Sequence, residues 1–270
     1  MLRRLTPVMV VVVVVLAACQ SAPAYSNPTD IITKGLDATA KLKSFHVSLA
    51  VSGTIAMPGS GASVKLDSTS LEADVDIAAK QARLTFAVPA LLGLTGEALA
   101  IGQDVYVKTS TTGAKWMHQT KVVPSSASSS APAPLSASAL PSASLDAAST
   151  IKVIKDFLAK DGVKTTMLAD VDCGGRKCYQ VSVSIPSSLM TAAGAVASMD
   201  PGSIFGDALV LNLLFDTEKL WLTEVSTSVT SATVGTFSAK LSFSKFDETV
   251  TVSPPPSADV TEGALKLPGM

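Results

Sequence analysis

The cysteines are the residues of this sequence whose type and spacing could support covalent chemistry. Among 270 residues there are three cysteines, and two of them, Cys173 and Cys178, enclose the pair Gly174-Gly175. A Gly-Gly pair suits a tight turn between two strands, and two cysteines so placed form a disulfide when a protein folds outside the cytoplasm. We therefore predict that Cys173 and Cys178 form a structural disulfide that closes a β-hairpin.

Two histidines and a row of acids are the remaining groups that catalysis or metal binding would use. General-base chemistry would fall on His46 or His118, and the alternation of His46 with apolar neighbours predicts that it faces solvent. Glu72, Asp74 and Asp76 could ligate a cation, but acids at every second position are typical of the solvated face of a strand. The motifs of serine hydrolases, zinc proteases and phosphate-binding loops are absent from the sequence. We expect no enzymatic activity, no cofactor and no metal site.

The third cysteine closes an N-terminal segment with the layout of a secretion signal. Two arginines precede an apolar core, Val8–Leu16, and two alanines separate this core from Cys19. Residues 16–19, Leu-Ala-Ala-Cys, resemble a bacterial lipobox, in which the cysteine receives a diacylglyceryl group and the chain is cut just before it. We predict a signal peptide over residues 1–18 and a lipidated tether over residues 19–27, with Cys19 as the lipid anchor. The alternative is an ordinary signal peptide with a coincidental cysteine.

The N-terminal segment also restricts the cellular location that we expect for the protein and the classes of partner that it could bind. Its apolar core is too short to span a bilayer, which takes about 20 apolar residues, and no later segment supplies such a span. We expect the body in an aqueous compartment on the extracytoplasmic side of the cell membrane, held by its acyl chains. Without the two N-terminal arginines the net charge is near −3, which argues against nucleic acid as a partner.

Periodicity divides the first half of the mature chain into one helix and a series of strands. Asn27 and Pro28 suit the N-cap and first position of a helix, and apolar residues recur on one face from Ile31 to Leu42. From Phe45 the period changes to two, which predicts a half-buried strand. Further strands are predicted over residues 71–77, 84–88, 99–102 and 105–108 and around residue 116.

A second run of helix and then strands follows a segment of unusual composition and loosely resembles the first, without an exact repeat of the sequence. Residues 124–149 are mostly Ser, Ala and Pro with a single charge, which predicts a disordered insertion. Helices are predicted over residues 150–160 and 186–199, the second of them ended by Asp200-Pro201-Gly202. The remaining strands are predicted over residues 179–185, 209–216, 220–229, 237–246 and 249–253, followed by a polar C-terminal tail over residues 254–270.

About ten strands and three helices joined by short turns predict an α+β fold built on one large antiparallel sheet. Four of its segments also resemble a known family. They are Ser-Phe-His-Val at residues 44–47, Lys-Trp at 115–116, Cys-Tyr-Gln-Val-Ser-Val-Ser-Ile-Pro at 178–186, and the closing stretch 241–252 that runs into three prolines. Together with the lipobox they resemble the LppX/LprG lipoproteins of actinobacteria, which share a fold with the LolA and LolB carriers.

The resemblance implies a single domain over residues 28–253. Its sheet would be a strongly curved half-barrel with helices covering the concave face, and the two would enclose an apolar cavity for acyl chains. Members of the family are thought to bind lipids or lipoglycans and to help move them across the cell envelope. The expected partners are a membrane lipid or lipoglycan, the membrane through the N-terminal anchor, and an envelope transporter.

The alternating apolar positions of the predicted strands are the candidate ligand-binding residues. They are Val47, Leu49, Val51, Val75, Ile77, Phe86, Val183, Leu211, Leu213 and Phe215. Periodicity does not separate side chains that line a cavity from those that fill a core. The alternative function is an envelope scaffold or protein-interaction lipoprotein without a ligand cavity.

Overall fold

The computed structural model describes residues 25–56, 62–90, 93–111, 113–120, 147–192 and 201–263. The predicted signal peptide, Cys19, most of the predicted tether and most of the predicted 124–149 insertion lie outside these residues. The last three residues of the predicted insertion are inside them, and they form the start of a helix. This helix therefore includes residues 147–149, which precede the predicted helix start at residue 150.

Four α-helices and fourteen strands are present in the described residues. The helices are α1 Pro28–Thr39, α2 Ala147–Leu158, α3 Ser187–Ala192 and α4 Pro201–Phe205. The first seven strands are β1 Ser44–Ala56, β2 Ser63–Lys65, β3 Thr69–Asp76, β4 Gln81–Val88, β5 Leu94–Ile101, β6 Asp104–Thr109 and β7 Trp116–Thr120. The last seven are β8 Lys164–Met167, β9 Val171–Asp172, β10 Lys177–Pro186, β11 Ala208–Asp216, β12 Leu222–Ser231, β13 Gly235–Ser244 and β14 Val260–Glu262.

All fourteen strands belong to one sheet, which forms an open half-barrel. The order is β14-β7-β6-β5-β4-β3-β1-β13-β12-β11-β10-β8, with β2 paired to β1 and β9 paired to β10. The path has two ends in the described residues, so the sheet does not close. Neighbouring strands are antiparallel except for β14 and β7, which are parallel. The predicted α+β class with a large curved sheet is confirmed. The strands that the sequence did not predict are mostly two or three residues long, too short to show an alternation of apolar and polar residues.

Helix α1 forms as its N-terminal residues predict. The Asn27 side chain accepts a hydrogen bond from the Thr29 backbone N–H at 2.9 Å, and Pro28 occupies the first turn. Ile31, Ile32 and Leu36 are buried on the face that meets the sheet. Gly35 on the same face lies so close to the Phe215 ring that a Cβ would collide with it, so the absence of a side chain here sets how closely the helix packs.

The helical prediction over residues 186–199 is confirmed at residues 187–192, while Pro186 is the last residue of strand β10. Helix α3 begins at Ser187, and residues 193–200 lie outside the described residues. Pro201, predicted to end the helix, instead begins the short helix α4 and is itself buried. A proline at the first helical position loses no backbone hydrogen bond, which is why the same residue type can end one helix and start the next.

The predicted C-terminal tail contributes a strand. Val260 lies opposite Trp116, Thr261 opposite Met117 and Glu262 opposite His118, which makes β14 the edge of the sheet. Residues 249–253, predicted as a strand, pair with no other strand in the described residues, although Val252 is only 8% exposed. The domain therefore reaches at least to residue 263, beyond the boundary predicted at 253.

A histidine holds the C-terminal strand to the edge of the sheet. His118 Nδ1 lies 2.8 Å from a Glu262 carboxylate oxygen, and its Nε2 lies 3.0 Å from Asp104 Oδ1. The imidazole also stacks on the Tyr106 ring with centroids 4.6 Å apart. The hydrogen bonds to Glu262 and then to Asp104 raise the pKa of His118, and burial opposes them.

The raised pKa of His118 predicts that β14 is released as the pH rises. A histidine whose pKa is higher in the folded state stabilises fully below the unfolded value of about 6.5 and loses this contribution as pH passes the folded pKa. We expect the backbone amides of β14 to lose protection above that pH, measured as the exchange rate relative to the intrinsic rate at the same pH. Hydrogen exchange as a function of pH measures this loss of protection. In the variant His118→Gln the pH-dependent change in protection, which we call the step, should be absent. An unchanged step in that variant would assign it to another group.

The disulfide joins the two cysteines that the sequence paired. Cys173 and Cys178 are linked with their Cα atoms 5.9 Å apart, across the turn between β9 and β10. Gly174 and Gly175 both have positive φ, a conformation that glycine adopts without strain.

Because the loop that the disulfide encloses is so short, we expect the double variant Cys173→Ser, Cys178→Ser to lose about 2 kcal/mol of unfolding free energy. Urea denaturation measures the difference, and a loss above about 4 kcal/mol would mean that the bridge does more than restrict the unfolded chain.

Candidate binding face of the sheet

The register of the strands places the predicted apolar side chains on one common face. Leu49 lies opposite Leu71 on one side and Leu241 on the other. Leu71 in turn lies opposite Phe86. Because directly paired residues of neighbouring strands project from the same face, this apolar row continues across the sheet.

One half of this face is covered by helix and filled by the protein itself. Helix α1 packs on β8, β10, β11 and β12, and α4 packs on β11 and β12. Beneath them Phe215, Val181 and Ile31 are each 0% exposed, and Val183 is 1% exposed. We refer to this region, strands β8 and β10–β12 with α1, as the covered half. Its side chains pack against one another as a folding core.

The other half of the same face, on β1 and β3–β6, has a different character, and we call it the open half. Most of its larger apolar side chains are only partly buried, although Val107 on β6 is 8% exposed. The partly buried ones include Val47, Leu49, Val51, Leu71, Val75, Leu84 and Phe86. An apolar surface that water still reaches loses part of the stabilisation that full burial would give, and contiguous patches of this kind commonly mark binding surfaces.

Small side chains separate the larger ones on the open half. Ala82 lies opposite Ala100 on the pair β4–β5, and Leu84 lies opposite Ala98. Phe86 lies opposite Gly96, whose missing side chain leaves room for the Phe86 ring. Residues of such low volume fill little of the space above the sheet, so the open half is a smooth apolar surface and not an interdigitated core.

The ten predicted ligand-binding residues divide between the two halves. Val183 and Phe215 belong to the covered half, and Leu211 and Leu213 are partly buried against the same core. The members on the open half are Val47, Leu49, Val51, Val75 and Phe86. Ile77 follows β3, and its N–H donates to the Lys43 carbonyl oxygen at 2.8 Å. That these residues contact a ligand stays a prediction. The five on the open half are the ones that the protein's own core does not already bury.

Leu71 and Leu84 share the open half but were not among the candidate residues. Both stand at alternating positions of predicted strands, so the signal for them was present in the sequence. What was missing was the pairing of Leu71 with Leu49 and Phe86, and of Leu84 with Ala73. Periodicity gives the face of a strand but not its neighbours.

The opposite face of the sheet is polar and closely paired. His46, predicted to face solvent, is on this face, but its side chain is only 18% exposed, and its Nδ1 lies 2.8 Å from Asp74 Oδ1. Arg83 and Glu97 are paired at 2.7 Å. Asp74, a member of the predicted acidic row, is therefore engaged by a histidine. Among the described residues no group of three His, Cys, Asp or Glu side chains is arranged to hold a metal ion.

A hollow of about 590 Å³ lies on this polar face beside the disulfide hairpin. Trp221 and Phe246 form one wall, with ring centroids 4.8 Å apart. Charged side chains dominate the rest of the lining, including the pair formed by Lys240 and Glu224 at 2.6 Å. Transfer of a hydrocarbon chain into such a lining would desolvate charges without replacing their partners, so the open half is the better candidate for an apolar ligand.

None of the helices in the described part of the chain has the length and apolar composition that crossing a membrane requires.

Comparison with known proteins gives matches among solved structures. No protein family model matches the sequence, and no curated protein matches it. The lipoprotein LppX of Mycobacterium tuberculosis is 17% identical over 83% of this chain and 97% of its own, with a TM-score of 0.48. LprF from Mycobacterium bovis is 17% identical over 84% of this chain and 96% of its own, with a TM-score of 0.53. On the strength of the likeness to LprF, this chain has the LppX/LprG-type lipoprotein fold that its sequence motifs resembled.

Proposed function

We propose that this protein is a membrane-anchored lipoprotein of the extracytoplasmic side that binds the acyl chains of a lipid and carries or presents them in the cell envelope. The observation that carries the proposal is the open half: a row of aliphatic and aromatic side chains on β1 and β3–β6 that the fold leaves partly exposed. The fold it shares with LprF supports the same conclusion.

The energetics of acyl chains explain why such a face is useful. A chain of sixteen carbons loses on the order of 13 kcal/mol on entering water, at about 0.8 kcal/mol for each CH₂. An apolar surface that accepts the chain removes most of this barrier, so a lipid can leave one membrane without crossing water unprotected. The protein needs no chemical step for this, and we propose that it is not an enzyme.

The ligand of this proposal is a membrane lipid or lipoglycan, and the anchor is Cys19. A single acyl chain binds a membrane only marginally, so a diacylglyceryl group on the cysteine sulfur would be required for stable attachment. An envelope transporter is the proposed partner for delivery. Because the anchor is covalent and the ligand is not, the two lipids are separable in one measurement.

Native mass spectrometry of the full chain, expressed in a lipid-rich bacterial host, tests the proposal. We expect a population heavier than the protein with its anchor, and this excess mass should be lost on denaturation while the anchor stays. The released molecule should contain at least one long acyl chain. Repeated recovery of protein without excess mass would favour the alternative of a scaffold without a ligand.

A further inference from the structure

The hollow beside the disulfide hairpin lies on the polar face of the sheet and takes no part in the proposed binding of acyl chains. Its volume of about 590 Å³ is within the range of about 300 to 1,000 Å³ that small-molecule sites commonly have. The β9–β10 hairpin, the end of β11 with the turn after it, the beginning of β12, and β13 with the residues that follow all contribute to it. We call it the polar hollow.

The charges that line the polar hollow balance one another. Its lining contains four Lys or Arg side chains and four Asp or Glu side chains. Arg176 Nη1 lies 3.5 Å from Asp216 Oδ2, and Lys240 Nζ lies 2.6 Å from Glu224 Oε2. A ligand with a large net charge of either sign would meet side chains of its own sign here, so the lining fits a ligand without net charge.

The same lining offers both donors and acceptors of hydrogen bonds. The side chains of Arg176 and Lys240 are more than half exposed and can only donate. Glu224 accepts, and Ser242, which lies opposite it in the sheet, does both. Each hydroxyl group of a ligand has one donor and two lone pairs, and its hydrogen bonds to charged groups are the strong ones. A ligand with many hydroxyl groups therefore matches this lining.

Two partly exposed aromatic rings add an apolar wall to the polar hollow. Leu220 is 9% exposed and belongs to the core, whereas Trp221, the next residue, lines the hollow together with Phe246. Aromatic side chains combined with a few polar groups are typical of sites whose ligand has both apolar and polar parts. A sugar ring is such a ligand, because its C–H groups form apolar faces while its hydroxyl groups lie around the edge.

The turns that hold the two rings are fixed by the rest of the fold. Leu220 and Lys245 have positive φ, 58° and 50°, and each directly precedes one of the rings. Residues other than glycine adopt this conformation only where the surrounding structure imposes it. The Leu220 N–H donates to the Asp216 carbonyl oxygen, and the Asp247 N–H donates to the Ser44 carbonyl oxygen, both at 2.9 Å. The polar hollow is therefore formed before a ligand arrives, which lowers the entropy cost of binding.

We propose that the polar hollow binds a carbohydrate. A sugar ring lies against Trp221 and Phe246, and its hydroxyl groups are hydrogen-bonded by Arg176, Lys240 and Glu224. This inference goes beyond the proposed function and does not depend on it, because the polar hollow and the open half are on opposite faces of the sheet. The sugar belongs either to a free glycan or to the head of the bound lipid, and both sources present the same chemistry.

Tryptophan fluorescence tests the site, because the sequence contains two tryptophans, Trp116 and Trp221. In the full-length variant Trp116→Phe the emission reports on the polar hollow. We expect it to change saturably on titration with at least one of the disaccharides maltose, cellobiose and trehalose. The reciprocal variant Trp221→Phe should show no change. The proposal is wrong if none of the three sugars changes the emission of Trp221, or if inorganic phosphate binds more tightly than every sugar, which would make the hollow an anion site.

Two arginines of the polar face provide a matched pair of substitutions. Arg176 and Arg83 are 59% and 54% exposed, and each lies beside an acid, but of the two only Arg176 lines the polar hollow. We expect Arg176→Ala to weaken the affinity for the sugar about tenfold, as loss of a hydrogen bond to a charged group does, and Arg83→Ala to leave it within about twofold. Isothermal titration calorimetry measures both. Equal affinities of the two variants would overturn the assignment.

Titration before and after removal of bound lipid distinguishes the two sources of the sugar. Equal affinity of the lipid-loaded and lipid-free protein assigns the polar hollow to a free glycan. Affinity that is lost only in the lipid-loaded protein assigns it to the head of the bound lipid. If no lipid is ever recovered with the protein, the proposed function fails, and the titration of Trp221 with the three disaccharides still decides whether the polar hollow binds carbohydrate.

Discussion

Replacing Phe215 by alanine is expected to lower the free energy of unfolding by about 3 to 5 kcal/mol. The side chain is 0% exposed, lies opposite Tyr179 in the ladder, and is packed closely enough to helix α1 that Gly35 has no room for a Cβ. Removal of the ring leaves a cavity that the rigid contact of helix and sheet does not fill. Urea denaturation of the full chain measures the loss.

Phe86→Ala is the matched control for Phe215→Ala. The same chemical change is made on the same face of the sheet, but the Phe86 ring is only partly buried and lies over Gly96. Since water already reaches this ring, its removal should cost less than half as much stability. Equal losses at the two positions would contradict the division of the face into a covered, filled half and an open half.

Leu84→Asp is expected to reduce the fraction of protein that carries lipid by at least tenfold. The carboxylate would stand on the open half, against the ligand's hydrocarbon, without a charged partner, and an unpaired ion in apolar surroundings costs on the order of several kcal/mol. Native mass spectrometry gives the lipid-bound fraction, and circular dichroism checks that the variant is folded. Residue 84 lies opposite Ala73 and Ala98 in the sheet, and the hydrogen bonds of such a ladder join main-chain groups that the substitution leaves in place.

Thr85→Asp adds the same charge to the next residue of the strand. Thr85 projects from the polar face, where it lies opposite Glu72 and Glu97. We expect this variant to keep its lipid, because the added charge does not face the ligand, although the neighbouring acids will cost it some stability. Loss of lipid from both variants would show that charge on β4 acts through the fold and not through the open half.

The sequence predicted correctly which residues of β1, β3 and β4 share a face because alternation is a local property. Leu49, Leu71 and Phe86 each follow a polar residue in a pattern of period two, and this alone places them on the apolar face of their strands. The capped start of α1 at Asn27 was equally local. These features depend on residues within a few positions of one another, which is the range over which a single sequence is informative.

The sequence did not predict which distant segments pair with one another in the sheet. His118 and Glu262 are 144 residues apart, and nothing local to Val260–Glu262 shows that this segment joins the sheet beside β7. The same limit applies to the candidate site. Val183 and Val47 have similar strand patterns, but helix α1 covers the first and leaves the second partly exposed, so only the packing of the helix distinguishes a core residue from a binding residue.

Photochemical crosslinking with a fatty acid that carries a diazirine at its methyl end tests the central claim most directly. The label is bound to the full-length protein, activated by light, and located by mass spectrometry of the peptides. The account predicts crosslinks on the open half, within residues 44–56, 69–76 and 81–88. Crosslinks concentrated in residues 177–186 and 208–216, on the covered half, would contradict it.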